Sequence, residues 1–186
     1  MEAEQRPGAI RLEEELAAID SVPLEEWAEQ RPSGNSERWA IVTATFYREI
    51  SDRLVAGARA CLEERGVEPG QIDLYEVPGA FELPLAARYC ALAADRPGGS
   101  ARYRAVISLG VVIRGETSHY DHICAAAARG LQSVQLETGT PCTFGLLTVE
   151  NREQALARSG GDKRDSGRAA ADAAWRMADL RFRLLG

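Results

Sequence analysis

One stretch decides the fold: AVISLGVVI (105–113), followed at once by RGETSHYD (114–121). The first part is a mostly apolar run, typical of a strand that is buried on both faces of a parallel sheet. Ser118, with Asp121 three residues later, predicts a capping box and a helix that begins near His119. A helix start after a strand offers free backbone N–H groups, so an anion could bind there beside a proton carrier.

The same alternation of strand and helix continues along the chain after residue 38. Strands that alternate with longer helices imply right-handed crossovers and a parallel sheet covered on both faces. We therefore expect a three-layer α/β/α sandwich around four parallel strands in flavodoxin-like order. The predicted strands are 39–45, 72–77, 105–113 and 142–148, and the predicted helices are 48–65, 81–94, 119–137, one that begins at Asn151 with Gln154 as its capping pair, and 167–184.

Length and composition limit the class of protein. The 186 residues are 45% hydrophobic and 27% charged, which suits one compact domain, residues 39–186, with some additional length. The formal net charge of −6 argues against nucleic-acid binding, because phosphate backbones require clustered Lys and Arg. No apolar stretch reaches membrane-spanning length, and the first thirty residues are acidic, so we expect a soluble, cytoplasmic protein with small-molecule partners and neither nucleic-acid nor membrane partners.

Residues 1–38 differ from the rest of the chain, because they are acidic and interrupted by three prolines. We interpret them as an N-terminal extension that is partly disordered or docks on a neighbouring surface. The four cysteines, Cys61, Cys90, Cys124 and Cys142, are far apart and form no Cys-x-x-Cys pair. They predict neither a disulfide framework nor a zinc site, and three of them are expected as small buried hydrophobic residues.

The turns after the strands should carry the functional residues, because all of them open at one edge of a parallel sheet. We expect 46, 79–82, 113–119 and 144–150 to converge there, with Arg158 from the fourth helix. Phe46 and Phe144 are candidates for stacking on a planar heterocycle, although core packing is the alternative for either ring. Glu82 either complements a helix dipole or accepts hydrogen bonds from ligand hydroxyls.

An anion at the helix start would be held by backbone N–H groups of Glu116 and Thr117, by the Thr117 hydroxyl and by Arg158. His119 is either a proton shuttle or a surface residue in a first helical turn. His122 completes a His-x-x-His pair with it, but a metal site is disfavoured because no further well-spaced ligand follows.

Three segments resemble the 6,7-dimethyl-8-ribityllumazine synthase family, which catalyses the penultimate step of riboflavin biosynthesis: VPGAFE (77–82), residues 110–121, and FGLLT (144–148) with Glu150-Asn151. The resemblance runs from about residue 39 to residue 180. It implies a transferase that condenses 5-amino-6-(ribitylamino)uracil with 3,4-dihydroxy-2-butanone 4-phosphate and releases phosphate and water, without a cofactor or a metal. It also implies a homopentamer, and in some members an icosahedral capsid of twelve pentamers.

The resemblance further assigns roles to residues. It implies that Phe144 and Arg158 reach the site from an adjacent subunit and that His119 moves protons. The implied ribitylaminouracil-binding residues are Phe46, Ala80, Phe81, Glu82, Val111, Val112, Ile113 and Phe144, and the implied butanone-phosphate residues are Glu116, Thr117 and Arg158.

Two positions depart from the family pattern. Tyr47 stands where the family usually has Asn, and Ser166 stands where it usually has Lys, so one site cation is missing. Lys163 and Arg164 are nearby cations, but neither shares the register of that lysine. Two other functions remain in competition: a catalytically weak paralog that binds flavin or lumazine or builds a shell, and a flavodoxin-like FMN protein. The second is disfavoured by the first loop, TFYR (45–48), which is not rich in Ser and Thr.

Overall fold

The computed structural model describes residues 38–94, 101–160 and 164–185. The predicted extension 1–38 lies outside these residues except for Arg38, which begins the first strand. The strands are β1 (Arg38–Ala44), β2 (Ile72–Val77), β3 (Tyr103–Ile113) and β4 (Cys142–Val149). The helices are α1 (Arg48–Glu63), α2 (Leu83–Leu92), α3 (His119–Thr138), α4 (Arg152–Arg158) and α5 (Ser166–Leu185), with 3-10 turns at Pro69–Gln71 and Ala80–Glu82.

The four strands form one parallel sheet in the order β2-β1-β3-β4, as predicted. Alternate residues of each strand point to opposite faces of the sheet. Trp39 and Ile41 pack on one face among residues of α1 and α5, whereas Ala40 and Val42 pack on the other among residues of α2 and α3. The three-layer sandwich is therefore confirmed, and its core is divided by the sheet.

Close backbone contact holds α5 against α1. A Cβ atom on Gly167 would lie 2.0 Å from the carbonyl oxygen of Leu54, so only glycine allows this approach. Trp175, two turns further along α5, stacks on Trp39 with ring centroids 5.4 Å apart. The beginning of α5 is thereby fixed on the body of the domain.

Most predicted boundaries lie within three residues of the observed ones, and the differences have local causes. Gly66 follows the end of α1 with a φ of +83°, a left-handed conformation that terminates the helix. The predicted helix 81–94 instead begins as the 3-10 turn Ala80–Glu82, and α2 follows with a proline in its first turn. Proline is favoured there because the first helical N–H groups have no intrahelical acceptor.

A polar network ties the amino ends of the first three strands together. Asp73 on β2 accepts hydrogen bonds from Arg38 and, at 2.7 Å, from the Tyr103 hydroxyl. Tyr75 and Tyr103 share a 2.5 Å contact between their hydroxyls. Chiefly because of the Arg38 hydrogen bond, the pKa of Asp73 is lowered to about 2. These groups are at the opposite end of the sheet from the turns that carry the candidate site.

The four cysteines are free thiols. Cys61, Cys90 and Cys142 are buried, as small hydrophobic residues would be, and Cys124 is half-buried. Burial raises the pKa of Cys90 to about 11 and that of Cys142 to about 12, so both remain protonated at neutral pH. Within the described ranges, no helix is both long and apolar enough to cross a membrane.

Candidate active site

The end of β3 projects beyond the end of β1. The pairing of β1 with β3 ends at Thr43 opposite Leu109, whereas β3 remains paired with β4 as far as Ile113 opposite Val149. Gly110 packs beside Ala44, since a Cβ on that glycine would lie 3.0 Å from the Ala44 Cβ. We call the surface formed by Val111–Ile113 and the turns after β1 and β2 the β3 step.

Two exposed phenylalanines stand on those turns. Phe46 is 77% exposed and meets Tyr47 edge-on, with ring centroids 5.0 Å apart. Phe81 is 61% exposed, while Ala80 before it is buried. The backbone N–H of Thr45 donates to Val77 O at 2.9 Å, which joins the two turns. Core packing, the alternative considered for Phe46, is therefore excluded, and its ring face is available to a planar ligand.

Glu82 lies in the 3-10 turn before α2 and is exposed. Its Oε2 is 3.1 Å from the position that a Cβ on Gly79 would occupy, so the carboxylate lies over the glycine of the turn. Val111 is buried, and Val112 and Ile113 are partly buried. The β3 step thus combines aromatic faces, an apolar strand end and one carboxylate.

Arg114 links the end of β3 to the start of α3. Its guanidinium donates to both carboxylate oxygens of Asp121 at 3.1 and 3.2 Å, and to Glu150 at 3.2 Å. It also lies over the Tyr120 ring, 4.0 Å from the centroid, and its backbone N–H donates to Val149 O at 2.9 Å. The Arg114 hydrogen bonds lower the pKa of Asp121. We call this group the Arg114 clamp, a feature that the sequence analysis missed.

The predicted capping box at Ser118 is wrong. Ser118 does precede the first helical residue, but its side chain makes no capping hydrogen bond, and Asp121 binds Arg114 instead. A side-chain acceptor near the helix start is Thr117 Oγ1, 3.4 Å from the His119 N–H. A bidentate pair with a guanidinium is stronger than a hydrogen bond to a backbone N–H, which explains why Asp121 turns toward Arg114.

The loop from Gly115 to Ser118 is exposed, and so is His119, the first residue of α3. The helix start therefore faces solvent with the N–H groups of Glu116 and Thr117 nearby, as the anion hypothesis requires. His122 is also exposed. In the parts of the chain that the structure describes, no cluster of three His, Cys, Asp or Glu side chains could hold a metal ion.

Phe144 is not at the turn after β4, where it was predicted. It is the third residue of the strand, opposite Ser108 and five residues before the strand ends, and it is 45% exposed. The expected convergence of Phe144 with Phe46 at corresponding turns is therefore wrong. The reason is that β4 begins at Cys142 and continues to Val149, so the aromatic ring falls near its amino end.

Phe144 instead lies in a groove of about 650 Å³ along the open edge of β4, which we call the β4 groove. Residues of α3 form one wall, β4 forms the floor, and the end of α4 with the start of α5 forms the other wall. Arg158, the last residue of α4, also lines the groove, and its Nη1 donates to Gln154 O at 3.1 Å. Phe46, Glu82 and His119 are not among the lining residues.

One chain thus places the predicted site residues on two surfaces. The β3 step and the start of α3 carry Phe46, Phe81, Glu82, the 111–113 strand end, Glu116, Thr117 and His119, while the β4 groove carries Phe144 and Arg158. Asn151 begins α4 as predicted, with its side chain accepting from the Gln154 N–H at 2.9 Å. The Gln154 side-chain oxygen in turn accepts from the Glu150 N–H rather than from the Asn151 N–H.

Comparisons with known proteins identify the family. The sequence profile of the 6,7-dimethyl-8-ribityllumazine synthase family matches residues 36–181. A curated relative from Salinibacter ruber (strain DSM 13855 / M31), named 6,7-dimethyl-8-ribityllumazine synthase, is 39% identical over 152 residues, which are 82% of this chain and 93% of the relative. The observed parallel sheet is consistent with both matches. This chain belongs to the 6,7-dimethyl-8-ribityllumazine synthase family.

Proposed function

We propose that the β3 step and the start of α3 of one subunit, with the β4 groove of a neighbouring subunit, form the site at which this chain makes 6,7-dimethyl-8-ribityllumazine. The reaction is the transferase step of riboflavin biosynthesis that condenses 5-amino-6-(ribitylamino)uracil with 3,4-dihydroxy-2-butanone 4-phosphate and releases phosphate and water. Family membership supports the reaction. The exposed ring of Phe46, beside the projecting end of β3, is the observation that supports this location.

The uracil ring stacks on Phe46 in this proposal. Offset stacking contributes about 0.5 to 1.5 kcal/mol beyond burial, and the Phe46 ring has one edge-on neighbour and an open face. Val111, Val112 and Ile113 line the ring pocket with apolar side chains and with backbone groups that project beyond β1. Ala80, Phe81 and Glu82 contact the ribitylamino end, where the Glu82 carboxylate accepts hydrogen bonds from hydroxyls.

The phosphate of the second substrate binds at the start of α3. Backbone N–H groups of Glu116 and Thr117 donate to it, and the positive end of the helix dipole favours its charge. The Glu116 side chain must point away, since a carboxylate repels a phosphate. Arg158 of the neighbouring subunit supplies a guanidinium, whose fork geometry matches phosphate oxygens.

His119 moves protons in the proposed mechanism. Attack of the substrate amine on the butanone carbonyl forms a Schiff base and expels water, and phosphate then leaves. Attack of the ribitylamino nitrogen on the remaining carbonyl closes the ring and expels a second water. Each step transfers a proton at a nitrogen or oxygen, and an imidazole on the rim of the site can accept and return it near neutral pH. Holding the two substrates in reacting geometry contributes on the order of 7 to 11 kcal/mol, so much of the rate comes from positioning.

The proposal requires self-association into a ring, because each site takes residues from two copies. We propose a homopentamer, and an icosahedral shell of twelve pentamers as the larger alternative. Apolar side chains on α2 and α3 support an interface: Leu85, Tyr89, Leu92 and Leu136 are each more than half exposed. We also propose a cytoplasmic location, which the small soluble substrates favour.

Purified full-length protein mixed with both substrates tests the function. We expect lumazine fluorescence to appear and inorganic phosphate to be released at the same rate. A parallel titration with riboflavin identifies the competing possibility, since tight riboflavin binding without product formation would indicate a binder rather than an enzyme. Light scattering after size exclusion should give a mass near 100 kDa or a multiple of it, and a 20.2 kDa monomer would exclude the shared site.

A further inference from the structure

The β4 groove is positively charged, although the chain carries a net charge of −6. Among the residues that the structure describes, the charged ones that line it are Arg158 and Arg164, and none is a carboxylate. Gln132 and Gln135 on α3 face them as neutral hydrogen-bonding residues, and Ser166, at the start of α5, lies on the same wall as the arginines. Two guanidinium groups beside the exposed ring of Phe144 suit a ligand that combines an anionic group with a flat or apolar part.

Arg164 is held close to Arg158 by its backbone. Its N–H donates to the carbonyl of Ala157 at 3.1 Å, and its carbonyl accepts from the Gly160 N–H at 3.2 Å. Gly160 has a φ of +85°, a left-handed conformation that allows the chain to return to the end of α4. Residue 164 is therefore tied to the residue directly before Arg158, and both side chains project from one wall.

The carboxylate next in sequence does not neutralise this pair. Asp165 Oδ1 accepts a hydrogen bond from the Arg168 N–H at 2.9 Å and lies 2.4 Å from the position that a Cβ on Gly57 would occupy. The Asp165 carboxylate thus faces α1 and the backbone of α5, and Asp165 is not among the groove residues. The positive charge of Arg164 remains directed to the groove.

We propose that Arg164 is a second phosphate-binding residue, which acts with Arg158 on the phosphate of 3,4-dihydroxy-2-butanone 4-phosphate. The inference rests on the proposed function and names a residue that sets substrate affinity. A phosphate monoester carries a charge of about −1.5 to −2 near pH 7, so one guanidinium neutralises only part of it. Ser166, which also lines the groove, offers a hydroxyl but no charge. Arg164 provides the second cation from two residues earlier in the chain.

Steady-state kinetics of Arg164→Gln test the inference. The KM for the butanone phosphate should rise about 10- to 100-fold, as expected for loss of a charged hydrogen-bond donor, while the KM for the ribitylaminouracil changes less than about twofold. Arg164→Lys keeps one positive charge and should recover most of the affinity. The backbone hydrogen bonds of residue 164 do not depend on its side chain, so both variants should fold and assemble.

The matched control is Arg183→Gln. Arg183 pairs with Asp179 at 3.0 Å on α5 and follows Ser166 by seventeen residues, or about 25 Å along the helix. It should keep wild-type values of both KM constants. An unchanged KM for the butanone phosphate in Arg164→Gln would overturn the inference, and so would an equal rise in Arg183→Gln.

Calorimetric titration with inorganic phosphate, at fixed ionic strength, separates this inference from the proposed function. Weaker phosphate binding by Arg164→Gln would support the role of Arg164 even if the wild-type protein made no lumazine, a result that would contradict the function alone. Equal phosphate affinity in the wild type and in Arg164→Gln would overturn the role of Arg164 even if the wild type were an active synthase.

Discussion

The β3 step and the β4 groove of one chain differ in the charges that they offer. The step and the adjoining helix start carry Glu82 and Glu116, and the arginine beside them, Arg114, is engaged by Asp121 and Glu150. Within the described part of the chain, the groove carries two arginines and no carboxylate. A phosphate dianion would bind poorly at the step alone, while the groove alone lacks the histidine and the ring face of Phe46.

This difference supports the proposed division of the site between two copies of the chain. The reaction joins a neutral flat ring to a small phosphate ester, and each surface suits one part of that pair. In the proposed ring of identical subunits, the step of each copy lies against the groove of the next through a heterologous interface. Because neither surface has the full set of groups, removal of one group from either surface should impair the half of the site to which it belongs.

The largest expected loss comes from His119→Ala. Removal of the proton carrier should lower turnover about 10- to 1000-fold without abolishing it, because substrate positioning remains. Single-turnover measurements of lumazine formation give this number directly. His122→Ala, on the same exposed helix turn but outside the proposed site, should keep full turnover. Wild-type turnover in His119→Ala would show that His119 does not transfer protons in the reaction.

Arg114→Lys should reduce turnover on the order of tenfold, since misplacement of catalytic groups by about 1 Å has costs of that size or larger. Lysine keeps the charge but cannot donate two parallel hydrogen bonds to Asp121 or stack as a plane on Tyr120. The clamp is exposed, so the free energy of unfolding should change little. A large loss of stability with unchanged turnover would show that the clamp is structural instead.

Phe46→Leu tests whether the heterocycle binds at the β3 step. The variant keeps an apolar side chain but loses the flat face, so the KM for the ribitylaminouracil should rise about 2- to 10-fold. The KM for the butanone phosphate should stay the same, because the phosphate contacts lie elsewhere. Phe46 is 77% exposed, so thermal unfolding should not change. Equal effects on both KM values would contradict the proposal that the ring binds at the step and the phosphate at the groove.

Asp73→Asn tests the opposite end of the sheet and should leave activity unchanged. The pKa of Asp73 is lowered from its usual 3.8 to about 2, so its charged form stabilises the fold above the unfolded value. Loss of that charge should lower the free energy of unfolding at neutral pH by about 2 kcal/mol. The difference from wild type should vanish as the pH falls from about 4 toward 2.

Denaturant titrations across that pH range provide the measurement. Asp52→Asn, on the exposed face of α1, is the control and should change stability by no more than about 0.5 kcal/mol. A constant difference between wild type and Asp73→Asn at all pH values would show that the side-chain ionisation is not the source of the stabilisation.

Apolar patterning predicts this fold well because each strand is bounded by strong local signals. Pro78-Gly79 ends β2 where predicted, and Gly66 ends the helix before it. The turn residues Phe46, Phe81 and Glu82, and the helix start at His119, follow from the rule that parallel strands open at one edge. The sequence pattern was therefore sufficient to predict which residues lie at the β3 step.

The β4 groove and the Arg114 clamp depend on contacts between distant parts of the chain. The predicted strand 142–148 already contained Phe144 near its amino end, and the error was to group this residue with the turn after the strand. Asp121 had a plausible local role as a cap, and only the three-dimensional position of Arg114 shows the stronger partner. Arg164 faces the groove because its backbone hydrogen bonds return the chain to α4, which spacing alone does not encode.

A mixed-subunit experiment tests the shared site most directly. His119→Ala damages only the step and Arg158→Gln only the groove, so each variant alone should be strongly impaired. Subunits combined at random in equal amounts should place an intact step against an intact groove at about a quarter of the interfaces, and lumazine formation should recover to about a quarter of the wild-type rate. Activity no higher than the average of the two separate variants would show that each site lies within a single chain.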